Sequence, residues 1–222
     1  MSIQGTVQQA APGLLGFDIN ADISAINPKS NVEYARELVQ AGYRYCLRYV
    51  PVGELLDPDL TAAEAEAILA AGLALMPVQH VFEPGWLPTG PMGTQVGQRA
   101  VQWLQGIGFP GGVNVWCDLE GVGNTSAQQV IDYCKSWYAA VKAAGYVPGL
   151  YVGYGVVLHD QQLYDLPFQH YWAAYNTDSS IPTRGWQLKQ ASQHTHVGSL
   201  DYDDDTTHTD ALGGTVLWLT AG

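Results

Sequence analysis

Residues 113–120 of this chain read VNVWCDLE, an apolar run that closes on two carboxylates two positions apart. In an extended strand successive side chains point to opposite faces. Val113, Val115, Cys117 and Leu119 therefore share one face, and Asn114, Trp116, Asp118 and Glu120 share the other. Asp118 and Glu120 would lie roughly 6–7 Å apart at their Cα atoms, close enough to couple. Paired carboxyls at a strand end suit glycosidic hydrolysis: one keeps a proton for the leaving oxygen, the other carries charge beside the reacting carbon. The segment LLGFDIN at 14–20 repeats the pattern, with Leu15, Phe17 and Ile19 on one face and Gly16, Asp18 and Asn20 on the other. An acid such as Asp18 at the end of an apolar strand needs a partner or a task.

A third acidic segment, DYDDD at 201–205, opens like a calcium-binding loop but does not continue as one. Thr206 replaces the glycine such a loop needs, and Leu212 stands where its bidentate glutamate belongs. If the segment is extended, Asp201 and Asp203 share a face and one of them can join the other acids; the alternative is a solvated acidic loop. Seven Trp, thirteen Tyr and four Phe supply many rings for 222 residues. Trp116, Tyr151, Trp172, Tyr175 and Trp186 fall near expected strand ends, where flat, partly polar rings suit stacking on sugars. Singly, most of these rings fit a barrel core equally well. His80 closes another apolar run and reads as a satisfied hydrogen-bonding residue or a contact at the mouth.

Other chemistries find little support. There is no G-x-S-x-G nucleophile elbow and no G-x-G-x-x-G or G-x-x-x-x-G-K phosphate loop. Cys46, Cys117 and Cys134 form no C-x-x-C pair, so buried thiols are expected rather than a disulfide framework or zinc site. No metal and no cofactor is expected. Nine Lys+Arg against 21 Asp+Glu give a net charge of −12, which excludes a general grip on nucleic acid. The longest nearly apolar run, 67–78, is too short for a membrane span and is broken by Gly72 and Pro77. Residues 1–12 carry no positive charge and no apolar core, so no Sec signal is expected.

The elements that must hold these acids alternate. Strands are expected at 14–19, 43–50, 73–81, 112–119, 150–154, 170–175, 186–190 and 215–219. Helices are expected at 31–41, from 61 to Gly72, at 93–105 and at 126–144, with Thr61 and Glu64 forming a capping box. Residues 84–93 read as a linker-like loop. Alternating strands and helices argue for parallel βαβ units. Without a phosphate loop, and with the last strands crowded together, an α/β (β/α)8 TIM-like barrel with a degenerate second half fits best. Residues 1–12 are expected to be a tail and 13–222 one barrel domain. Asp118 and Glu120 would then sit at the C-terminal strand ends, where barrels place their chemistry.

Together these segments resemble a known family. Gly16-Phe17-Asp18, Val78-Gln79-His80, Asp118-Leu119-Glu120, YWAAYN at 171–176, Trp186-Gln187 and LDYD at 200–203 follow the order seen in family 25 glycoside hydrolases, the muramidase-type lysozymes. Arg48-Tyr49, LAAGL at 69–73 and GLYV at 149–152 look closer still to a cousin group, the glycoside hydrolase-like barrels known as domain of unknown function 1906. The resemblance spans about residues 13–219. It implies an acidic groove for peptidoglycan or a related glycan, with Glu120 as general acid, Asp118 its carboxylate neighbour, Asp18 the first-strand acid and Asp201 the late aspartate. Asp203 stands where that pattern has Asn. Trp116, Tyr151, Trp172, Tyr175, Trp186, His80 and Arg48 are the expected substrate contacts. By the rule that the drier carboxyl keeps its proton, Glu120 is expected protonated and Asp118 and Asp18 ionised. Two classes fit: a muramidase-like hydrolase, or a catalytically silent sugar-binding barrel or effector scaffold. Lacking an export signal, a wall hydrolase would be released like a phage endolysin or delivered as an effector.

Overall fold

The computed structural model describes residues 2–21, 23, 31–53, 59–177, 181, 184–197 and 200–222. Its strands are β1 (Thr6–Gln9), β2 (Leu15–Ile19), β3 (Tyr45–Val50), β4 (Ala74–Gln79), β5 (Asn114–Leu119), β6 (Val147–Val152), β7 (His170–Ala173), β8 (Leu188–Val197), β9 (Leu200–Thr207) and β10 (Leu217–Thr220). Strands β2 to β8 run parallel, and β9 closes the ring antiparallel to both β8 and β2. The result is an α/β, TIM-like barrel of eight strands. Its helices are α1 (Asn31–Ala41), α2 (Ala62–Ala71), α3 (Gly90–Gly106), α4 (Ala127–Ala143) and the five-residue α5 (Asp160–Tyr164).

The degeneracy of the second half is concrete. Helices of ten to seventeen residues precede β3 to β6, while a single short turn of helix precedes β7. Strands β8 and β9 are separated by two residues and pair as a hairpin. The eighth barrel strand is therefore β9, at 200–207, and not the apolar run at 215–219. That run, as β10, lies outside the ring, where it pairs with β4 through Leu219 and Leu75 and with β1 along four residues. An acidic strand carries no apolar alternation, so only its pairing with β2 and β8 reveals it. Residues 6–9, expected as a tail, are the partner strand of β10. Strand β10 also crosses the N-terminal end of the barrel: Leu217 N donates to Asn114 Oδ1 at 2.6 Å and Trp218 packs on Tyr45 at 5.3 Å between ring centroids.

The lumen is filled by large rings that face glycines. A Cβ on Gly16 would fall within the Tyr45 ring, and one on Gly149 within the Trp116 indole. These are paired positions on neighbouring strands, so each ring needs its neighbour bare. Helix α2 starts at Thr61, whose hydroxyl accepts from Glu64 N at 3.2 Å, and stops at Gly72 with φ 97°. Only half of the expected capping box forms there. The Glu64 carboxylate turns instead to Arg48, at 2.6 Å from Nε and 3.0 Å from Nη2. Arg48 Nη1 also donates to Ile19 O at 2.8 Å. Complete boxes form at α4, between Ser126 and Gln129, and at α5, between His159 and Gln162. Among the described residues no helix is long and apolar enough to cross a membrane.

The Arg48–Glu64 pair lies between barrel and helix layer, with both side chains essentially unexposed. Removing one member strands a charge in the interior, at a cost of about 3–5 kcal/mol, whereas replacing both with apolar groups of similar volume is close to neutral. Urea unfolding should show Arg48→Ala destabilised by that amount and Arg48→Met/Glu64→Leu largely restored. Equal stability of the single variant and the native chain would mean the pair holds nothing.

Candidate active site

Strand alternation, applied around the ring, selects the side chains that reach the lumen at the C-terminal ends of the parallel strands. On β2 it is Asp18; on β5, Asp118, with Glu120 one residue beyond the strand; on β6, Tyr151; on β8, Gln190. Strand β9 runs the other way, so its first residues are at this same end, and Asp203 lies directly across from Asp18 in the ladder. Asp205 follows one layer deeper, opposite Gly16.

Gln190 ties this face together. Its Nε2 donates to Asp18 Oδ2 and to Asp203 Oδ2, both at 3.0 Å, while its Oε1 accepts from Tyr151 Oη at 3.1 Å. Tyr49 Oη donates to Asp18 Oδ1 at 3.2 Å. Trp172 Nε1 donates to Asp205 Oδ1 at 2.8 Å, while Asp205 Oδ2 meets no donor among the described residues. The Asp18 and Asp205 carboxyls are close enough to act on each other's protonation. Burial, then the charge of Asp203, pushes Asp18 up to about 7 in spite of its hydrogen bonds. Asp205 is raised well above the usual range, by burial first and then by Asp18.

Asp118 is just 5% exposed, and no described residue donates to its Oδ1. Burial raises it well above the usual carboxylate range, with Glu120 and Asp18 adding to the effect. Glu120 is half-buried at the rim and also raised, by burial first and then by Asp203. The drier group is therefore Asp118, which reverses the expected assignment: in the free protein Asp118 holds its proton more tightly than its position in the sequence suggested. Glu120 is held by its surroundings. Trp86 Nε1 donates to the Glu120 carbonyl at 2.9 Å, so the segment expected as a linker at 84–93 is a clamp over 84–89 followed by the first turn of α3. Gly153, on the next strand end, leaves room for the carboxylate; a Cβ there would come within 2.5 Å of Glu120 Cβ.

A shallow hollow of about 200 Å³ opens beside these acids, lined by Asp18, Ile19, Asn20, Tyr49, Asp201, Tyr202 and Asp203. Asp201 is exposed on its outer wall, and Asp203 is the β9 acid that acts on both Asp18 and Glu120. Among the described residues no three His, Cys, Asp or Glu side chains are arranged to hold a metal ion.

Several expected substrate contacts lie elsewhere. Arg48 points to the helices because β3 turns Tyr45, Leu47 and Tyr49 inward and the alternate residues outward. Trp116 is fully buried as a lumen plug, and Trp172 is buried beneath Asp205. Trp186 precedes β8 and so sits at the opposite, N-terminal end of the barrel. Tyr151 is in the cluster as a donor to Gln190, only 8% exposed. Tyr175 lies beyond β7 and is half exposed. His80 stacks on Tyr49 at 4.6 Å, with its Nε2 3.1 Å from Asp59 Oδ1, and burial lowers its pKa despite that partner. Of the two aspartates that share a face on the acidic segment, Asp203 is the one bonded into the cluster, while Tyr49, Gln190 and Asp205 are residues that the sequence did not single out. Alternation along β3 would have chosen Tyr49 over Arg48; nothing local marks Gln190.

This geometry has relatives. Residues 36–211 match the family described as Rv2525c-like, glycoside hydrolase-like domain. The chain belongs to that family. No curated protein sequence matches it. Among solved structures, an uncharacterized protein of B. stearothermophilus superposes with a TM-score of 0.64 at 16% identity, over 88% of this chain and 96% of that one. The Clostridium perfringens spore cortex lytic enzyme SleM gives 0.63 at 12% identity, over 90% and 69%. The catalytic domain of endolysin ply40, from bacteriophage P40 of Listeria monocytogenes, gives 0.59 at 15%, over 90% and 95%. At these identities the likeness is one of fold.

The raised acid at Asp18 has a consequence for stability. Its folded value of about 7 exceeds the ordinary 3.8, so the folded state binds a proton that the unfolded chain gives up. That contribution is complete below the unfolded value and is lost as pH rises through about 7. His170, lowered to about 4 by burial, titrates in the opposite sense. A comparison with Asp18→Asn isolates the carboxyl: the variant should melt higher than the native protein at about pH 8, with the gap closing at about pH 5. A gap that stays constant across this range would contradict the buried-acid account.

Proposed function

We propose that this barrel hydrolyses a glycan of the peptidoglycan type, cleaving beside an N-acetylated sugar with Glu120 as the general acid. The observation that carries the reading is Asp118: a carboxyl nearly sealed in the lumen, without a donor at Oδ1, one step below the rim acid Glu120. A buried acceptor left open in this way suits a substrate that brings its own N–H, such as an acetamido group. Accepting that bond favours ionised Asp118, and the charge then created beside Glu120 helps keep the rim proton in place. Glu120 gives that proton to the glycosidic oxygen as the bond to C1 breaks. The acetamido oxygen, aligned through its N–H on Asp118, supports the developing positive charge at C1. Water then completes the cleavage, with Glu120 now accepting the proton.

The fold likeness to a spore cortex lytic enzyme and to an endolysin's catalytic domain supports a wall glycan as substrate. Release on lysis or delivery as an effector would bring the protein to it. The alternative, a barrel that binds such glycans without cleaving them, is an outcome of the same experiment.

Glu120→Gln keeps the shape of the side chain but removes the proton, so reducing-sugar release from purified cell wall should fall by at least about 100-fold with melting unchanged. Wild-type rates in that variant would remove Glu120 from the chemistry, and no release by the native protein would leave the binding barrel. Because Asp203 helps to raise Glu120, Asp203→Asn should bring the alkaline limb of kcat/KM to lower pH. A limb that stays in place would show that Asp203 does not act on the catalytic proton.

A further inference from the structure

The opposite end of the barrel has the reverse chemistry. There, a hollow of about 240 Å³ is lined by Arg184, Gly185, Trp186, Lys189, His208, Thr209, Asp210 and Ala211. Its position follows from topology. Residues 184–186 lead into β8, while 208–211 follow β9, which runs antiparallel and so ends at the base. The acids of the mouth stand at the other ends of these two strands.

Two of the chain's nine Lys and Arg residues meet here, in a protein that carries 21 Asp and Glu. Lys189 points outward from β8 and is exposed, as is His208, and Trp186 is half-buried with its ring nearly perpendicular to that of Tyr171 at 6.3 Å between centroids. The carboxylate within the hollow, Asp210, is paired with Arg184, which leaves Lys189 as the excess positive charge. Asp210 is buried and already accepts from Arg184 Nη1 at 3.0 Å, Gln187 Nε2, Leu212 N at 2.9 Å and Gly214 N at 2.6 Å. It holds Arg184 in place, and the guanidinium is further fixed by Gln169 O at 3.1 Å. What solvent meets is a fixed guanidinium, an exposed ammonium, an exposed imidazole and a half-buried indole. A planar cation suits a carboxylate or phosphate, and an indole offers apolar surface to a sugar ring.

We propose that this basal hollow is a binding site for an acidic saccharide, its ring on Trp186 and its carboxylate or phosphate against Arg184, Lys189 and His208. The site is separate from the acidic mouth and does not depend on hydrolysis. A mouth lined with carboxyls repels the very group that the base attracts, so one barrel has two ends with opposite preferences for charge. An anionic part of a glycan polymer would engage the base, and the neutral N-acetylated part the mouth.

The test is a titration of the whole isotope-labelled protein followed by NMR, reading the Trp186 indole N–H, assigned with Trp186→Phe, and the His208 ring. N-acetylmuramic acid probes a carboxylate, glucose 6-phosphate a phosphate, and N-acetylglucosamine a neutral ring. At least one acidic sugar should shift both signals saturably, with a dissociation constant in the millimolar range, and the arm that responds tells carboxylate from phosphate. Lys189→Glu, a change at an exposed position, should weaken that binding by about tenfold or more and leave the spectrum otherwise unchanged. The proposal is overturned if neither acidic sugar gives a saturable shift, if the neutral sugar binds equally well, or if Lys189→Glu binds as the native protein does.

Discussion

Three carboxyl groups, those of Asp18, Asp118 and Asp205, are buried in one barrel lumen, and the cost of ionising them governs the rest of the site. A lone carboxylate in such a setting is expensive, and a second one nearby more so. The fold meets that cost with protons and amides rather than with bases. Gln190 spreads its two N–H groups over Asp18 and Asp203, Trp172 serves Asp205, and Tyr49 serves Asp18. The one buried arginine of this region, Arg48, is committed to Glu64 on the other side of the strand. Among the described residues no cation is inserted between these acids, so burial and mutual repulsion raise all three, Asp18 to about 7 and Asp118 and Asp205 well above the ordinary range.

The irregular half of the barrel is what makes the cluster possible. A strictly parallel eighth strand would present its final residues at the mouth. The antiparallel β9 presents its first residues there, and its period-2 acids then descend along the inside wall beside β2. Asp203 stands across from Asp18 near the rim and Asp205 one layer lower, where the bare Gly16 lets the ring of Tyr45 into the lumen. The hairpin of β8 and β9 thus supplies the amide and the acids from two adjacent strands without a helix between them. The first half, with its four full helices, supplies Asp18, Asp118 and Glu120; the hairpin supplies Gln190, Asp203 and Asp205.

Charge is also sorted along the barrel axis. The mouth gathers Asp18, Asp118, Glu120 and Asp203, while the base carries Arg184, Lys189 and His208 around Trp186. Since β8 and β9 contribute to both ends, a single hairpin spans the two chemistries. Strand direction alone decides which residue of that hairpin faces which end.

Much of this was readable in the chain itself. Alternation in VNVWCDLE put Asp118 and Glu120 on one face, and the same rule in LLGFDIN singled out Asp18, because the two-residue period of a strand is local. Glycines, capping residues and apolar runs marked helices α1 to α4 and the first seven barrel strands for the same reason. The tertiary structure alone decided that 200–207 is a strand and 217–220 is not part of the ring, since an acidic segment becomes a strand only through its partners. It decided too that Trp186 belongs to the base, that Arg48 spends its charge on Glu64, and that Asp203 and Gln190 belong with Asp18. Above all it settled which carboxyl is driest. Burial is a property of the packed lumen, summed over residues far apart in the chain, and no spacing in the sequence records it.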